Sequence, residues 1–184
     1  MQGDKKSKTF EIALSAISCA LAVIFLLVGT LSGVLLATGY LMGAVCLMIP
    51  LAKNFYVGGA LAFVGTCILA VVLGALGGGW TLVPFVAFFG LHPLANALQL
   101  RFKINGVVAF LIKAVWFDLA LYLMYILVFG SSIASPDFEF YKLINDNIVW
   151  FIAIGGTVFF AVYDFAIFKC QTVINTLIKR IKKD

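Results

Sequence analysis

At 184 residues, with 64% hydrophobic and 11% charged, the chain is far more apolar than an ordinary soluble domain, which holds about 45–50% apolar and about 25% charged residues. A water-soluble fold of this size has too little interior for that surface, which leaves a lipid bilayer as its solvent. The formal net charge of +5 does not point to nucleic acid, because the basic residues stand at the ends of apolar runs, where they act as topology signals and contacts for lipid headgroups.

Six apolar runs, bounded by Gly, Pro or charge, predict transmembrane helices over about 12–29, 33–51, 57–76, 81–100, 106–129 and 148–168. Each crossing takes about 20 apolar residues, so six use about 120 and leave only short connections and tails. The expected fold class is therefore all-α, a single polytopic membrane domain over 1–184 with no separate soluble part. The first run follows Lys5, Lys6 and Lys8 as a signal peptide would, but its length and the lack of a small-residue cleavage site read as a retained helix. Only Thr30, Leu31 and Ser32 separate the first two runs, and a longer loop within 29–40 is an alternative division of the same stretch. Gly77, Gly78 and Gly79 break the chain before the fourth run, with Trp80 as an interfacial aromatic behind them.

Orientation follows from the Lys and Arg residues. Lys5, Lys6 and Lys8, then Lys53, then Arg101 and Lys103, and finally Lys169, Lys179, Arg180, Lys182 and Lys183 fall in the two tails and the even-numbered connections. The first and third connections carry none, and the fifth has only Lys142, beside Asp137, Glu139 and Asp146. This alternation puts both termini in the cytoplasm. The basic segment 169–184 repeats Val173, Ile174, Leu177, Ile178 and Ile181 at helical spacing. It is either an amphipathic helix on the inner leaflet or a cytoplasmic extension of the sixth helix.

Ionisable groups inside a membrane are costly and face a partner or a cavity. Here they are His92 in the fourth run, Lys113 and Asp118 in the fifth, and Asp164 near the inner end of the sixth. At about 1.5 Å per residue, His92 lies roughly 12 Å, Lys113 roughly 10 Å and Asp118 roughly 18 Å from the inner boundary. Lys113 and Asp118 stand about 140° apart around a helix, so a direct pair is strained and His92 or a water is expected between them. Either these groups lock the bundle, or they form a substrate contact or proton relay. Asp164 reaches the interface or Lys169. Pro93 removes a backbone hydrogen bond in mid-helix, which makes either a kink or a broken helix lining a cavity.

Trp80, Tyr122, Tyr125 and Trp150 at the outer ends are an interfacial belt, or, with Asn145, Asp146 and Asn147, the roof of an outward pocket. Ala13, Ser15, Ala16, Ser18, Ala20 and Ala22 give the first helix an unusually smooth surface, a docking face for another membrane protein. The widely spaced Cys19, Cys46, Cys67 and Cys170 are expected as free thiols. With one His and no HExxH, GxSxG or P-loop spacing, neither a metal site, a cofactor nor an enzymatic centre is expected.

The size, the six helices, the cytoplasmic termini and the segment Ala16, Ile17, Ser18, Cys19, Ala20 on the first helix resemble the substrate-binding S components of energy-coupling factor transporters. The resemblance implies that an AxxxA motif, here Ala16 and Ala20, docks on a transmembrane coupling subunit whose partner ATPases power uptake. It implies a small ligand, a vitamin-like nutrient or a metal, bound from outside by Trp80, Tyr122, Tyr125, Asn147 and Trp150, with His92, Lys113 and Asp118 as a deeper polar floor. The sequence departs from the family in its short first outer loop and carries no vitamin-specific signature. Two other classes compete: a non-transporting accessory or scaffold protein that uses the same smooth face, and a proton-coupled carrier built on His92, Lys113 and Asp118. The lack of a clear repeat between 1–92 and 93–184 counts against the carrier.

Overall fold

In the computed structural model, residues 2–32, 34–73, 81–129 and 146–179 are described, with side chains over 8–32, 34–73, 81–127 and 146–178. All regular structure among them is helical. A segment without Pro, polar at its start and apolar from Ile12 onward, forms the long helix α1, Gln2–Ser32. It turns at Val34 and Leu35 into α2, Leu36–Leu51. Where α1 and α2 meet, Gly29 and Gly39 replace side chains with backbone contact: a Cβ on Gly39 would lie 2.8 Å from the Phe25 carbonyl and 2.9 Å from the Gly29 Cα. Small residues bring helices this close because nothing projects between them.

Pro50 sits in the last turn of α2, and Asn54 closes the following turn with φ of 61°. Asn tolerates this left-handed conformation better than most residues. The chain then enters α3, Tyr56–Val72. The fourth run is not one regular helix. A π-helical turn, Phe85–Phe89, precedes α4, His92–Phe102, so that Pro93 lands in the first turn of α4. There its missing N–H costs nothing, since the first-turn N–H groups have no intrahelical acceptor. Lys103 ends α4 in the left-handed region, with φ of 52° and its N–H on the Gln99 carbonyl.

Helix α5 is Gly106–Phe129. Asn105 Oδ1 accepts the Val107 N–H at 2.9 Å and caps it. Helix α6 starts as one turn, Ile148–Phe151, widens to a π-helical turn, Ile152–Gly156, and continues over Thr157–Lys179. Its last part is the direct continuation of α6, so residues 169–179 extend the sixth helix and form no separate one.

The chain divides into two units, Met1–Lys103 with Ile167–Asp184, and Ile104–Ala166. The core of the first is built by Ala22 and Leu26 of α1, Tyr40 and Leu47 of α2, Ala62 of α3 and Phe85 of the π-turn. Tyr40 stacks on Phe89 at 5.6 Å and donates its hydroxyl to the Thr81 carbonyl. In the second, the antiparallel α5 and α6 interlock through Phe117 on Phe160 at 5.6 Å and Phe110 on Phe160 at 5.3 Å. Val107, Leu111, Val115 and Leu119 point outward at helical spacing from α5, as do Val158, Val162 and Phe165 from α6. Apolar stripes this long mark surfaces that meet lipid or another protein.

Candidate functional site

The polar groups of the second unit meet across the seam between α5 and α6. Lys113 Nζ donates to Asp164 Oδ1 at 2.6 Å, with the two side chains only 6% and 11% exposed. One and a half turns further along α5, Asp118 Oδ2 accepts the Thr157 hydroxyl at 2.9 Å. Its Oδ1 is buried and accepts no hydrogen bond among the described residues. That oxygen occupies the space above Gly156: a Cβ there would lie 2.5 Å from it. Gly156 closes the π-helical turn, a local widening that recurs at functional sites. The turn and the bare glycine together let the carboxylate approach the α6 backbone.

Lys113 and Asp118 thus each have a partner of their own on α6. Their 140° separation around α5 directs them to two positions on α6, Asp164 and Thr157, which the antiparallel register supplies in the matching order. Asp164, which sequence places near the interface and Lys169, is a partner of Lys113. Sequence reading also missed Thr157 and Gly156; the glycine pair Gly155 and Gly156 within an apolar run is the signal that marks the place.

His92 belongs to the first unit. It is fully buried and stacks on Phe88 at 5.1 Å with 29° between the rings. Asn96, one turn later on the same face of α4, is also fully buried. Two polar residues buried at i and i+4 form a polar stripe on α4, whose first member alone was singled out by sequence.

Trp80 and Asn145 lie outside the described residues. Asn147 is exposed, and its carbonyl accepts the N–H groups of Trp150 and Phe151 at 3.0 Å, opening α6. Trp150 is 69% and Tyr122 40% exposed, while Tyr125 is half-buried. Side chains so exposed suit an interfacial belt.

On α1 the smooth surface splits in two. Ser15, Ser18 and Ala22 are buried, and Ser18 donates to the Cys46 carbonyl of α2 at 2.7 Å. Ala13, Ala16 and Ala20 face outward beside Ile12, Ile17 and Ile24. The serines therefore serve packing between helices, and only the alanine stripe is open. Cys19, Cys46, Cys67 and Cys170 are free thiols.

Among the described residues the protein is all-helical, with three helices long and apolar enough to cross a membrane: Lys8–Ser32, Gly106–Leu127 and Ile148–Ile178. Leu36–Leu51 and Tyr56–Val72 are shorter apolar helices. No protein-family model, curated protein or solved structure matches the chain.

Proposed function

We propose that the protein is a six-span cell-membrane protein with cytoplasmic termini that binds a small nutrient from outside, its uptake driven by a coupling subunit and separate ATPases. The six-span reading draws support from the six apolar helical segments and from the basic residues at alternate connections. Helices α2 and α3, of 16 and 17 residues, rise about 24–26 Å. That is a little short of the roughly 30 Å hydrocarbon layer, a mismatch that local thinning accommodates.

The observation that carries the transport reading is the outward-facing Ala16 and Ala20 on α1. They leave a strip without bulk on which a second membrane helix can pack closely. The ligand would engage Tyr122, Tyr125, Asn147, Trp150 and Trp80, with Lys113, Asp118 and His92 deeper. The test is co-expression with a coupling subunit and its ATPases. Replacing Ala16→Leu and Ala20→Leu together should abolish co-purification while leaving thermal stability unchanged, since both side chains face outward. Undiminished co-purification would remove the reading.

A second reading, a non-transporting accessory protein that docks another membrane protein through the same alanine strip, is favoured by the closure of Lys113 on Asp164 and of Asp118 on Thr157. Lys113 and Asp164, paired with each other, offer fewer bonds to a ligand, and of the Asp118 carboxylate only Oδ1 is left open. Native mass spectrometry of the purified protein separates the two: a retained small solute supports uptake, and a retained protein partner without solute supports the accessory role.

A further inference from the structure

We infer that the first unit holds a single phospholipid with a zwitterionic, primary-ammonium headgroup, seated at one end of α3 and α4. The inference rests on the membrane reading above and is independent of transport. Two adjoining open surface grooves carry it. One, of about 470 Å³, is lined by Glu11 of α1, Asn54 and Phe55 of the α2–α3 turn, Tyr56 and Val57 at the start of α3, and Arg101 at the end of α4. The other, of about 360 Å³, shares Tyr56 and Val57 and runs on between Ala60, Leu61 and Val64 of α3 and Leu94 and Leu98 of α4. Both are open grooves on the surface; the first has a mixed polar and apolar lining, the second is wholly apolar, and they share Tyr56 and Val57. A headgroup with an acyl chain attached has the same division.

The charges in the first groove select the headgroup. The Arg101 guanidinium lies 4.7 Å from the centre of the Tyr56 ring and 5.7 Å from that of Phe102. Stacking holds it in place while its edge N–H groups stay available to a phosphate. Glu11 accepts the Gly58 N–H at 3.2 Å through Oε1, which fixes the carboxylate and leaves Oε2 to accept from an ammonium. Glu11 and Arg101 line one groove without forming an ion pair, among the described residues. A purely anionic headgroup would meet Arg101 but be repelled by Glu11. A phosphoethanolamine group satisfies both charges, and the apolar channel from Val57 to Val64, about 10 Å along α3, takes the upper part of one chain.

The test is native mass spectrometry and thermal unfolding of the full chain in detergent, titrated with phosphatidylethanolamine or phosphatidylglycerol. Phosphatidylethanolamine should be retained at roughly tenfold lower concentration, as expected for one additional hydrogen bond to a charged group. Arg101→Gln should weaken retention of both lipids. Glu11→Gln, which keeps an acceptor for Gly58, should erase the preference between them. Ala60→Trp, which fills the apolar channel, should abolish retention. Equal or tighter binding of phosphatidylglycerol to the native chain, or retention unchanged by Ala60→Trp in a variant that unfolds at the native temperature, overturns the inference. Lipid retention lost with co-purification intact would leave the uptake reading standing; protein recovered without detergent would remove the membrane reading beneath both.

Discussion

Lys113 on α5 and Asp164 on α6 form a sequestered ion pair, 2.6 Å from nitrogen to oxygen, across the seam of two apolar helices. Residues 51 positions apart in the chain are thereby tied at one level. Buried away from water, each charge is stabilised by the other.

Removing one partner strands the other charge, whereas removing both leaves an apolar seam. Lys113→Met or Asp164→Leu alone should destabilise the protein by about 3–5 kcal/mol. The double replacement should recover most of that loss. Thermal unfolding in detergent over the full mutant cycle checks it, and additive losses would count against a mutual pair.

The two glycines of the π-helical turn should respond differently to the same change. A Cβ on Gly155 meets nothing within 4 Å, whereas one on Gly156 meets Asp118 Oδ1 at 2.5 Å and Leu121 at 3.2 Å. Gly156→Ala should therefore cost about 1–3 kcal/mol by overpacking, and Gly155→Ala should be neutral or slightly stabilising. Combining Gly156→Ala with Asp118→Ala should relieve much of the cost, as read from unfolding midpoints.

Close approach at the α1–α2 hairpin makes a third pair. Gly39→Ala drives a methyl group against the backbone of Phe25 and Gly29, which has no side chain to swing away. A loss of about 1–3 kcal/mol is expected. Gly106→Ala, with open space around it, should leave stability within roughly 1 kcal/mol of the native chain, the scale of helix propensity. Equal effects of the two would argue against the hairpin contact.

Topology gives a fourth. Reporters fused after Lys53, after Lys103 and after Asp184 should all report the cytoplasm, and one inserted within 130–145 should report the outside. A cytoplasmic signal from the reporter within 130–145 would remove the six-span arrangement and, with it, the pocket proposed around Trp150.

Much of this fold can be read along the chain. The run 106–129 matches α5 end to end, and those at 33–51 and 57–76 differ from α2 and α3 by a few residues. Gly, Pro and charge at the ends of apolar runs act locally, so their consequences are visible locally. The fourth run shows where that fails. Pro93 marked a disturbance, but its lodging at the start of α4 depended on the π-helical turn before it. Likewise, Ser15 and Ser18 look equivalent to Ala16 and Ala20 on paper, and only packing against α2 and α3 assigns the serines inward.

The candidate polar groups were legible as a set, because His, Lys and Asp stand out in apolar surroundings. Their partners were not. Asp164 lies near a helix end with Lys169 within reach along the chain, and nothing in that neighbourhood indicates Lys113. Thr157 and Gly156 carry no charge to draw attention.

Sequence alone, through the length and apolarity of its runs, determines that this chain forms long helices suited to a bilayer; the bounds of α2, α3 and α5 follow to within a few residues, while α1 starts well before its apolar run and α6 ends well after its own. The tertiary structure decided which faces meet, joining Lys113 to Asp164 and Asp118 to Thr157 and leaving Ala16 and Ala20 open. The division has a physical cause. Helix formation is governed by residues within a turn or two, while the register of α5 against α6 is set by side-chain interlocking between segments far apart in the chain.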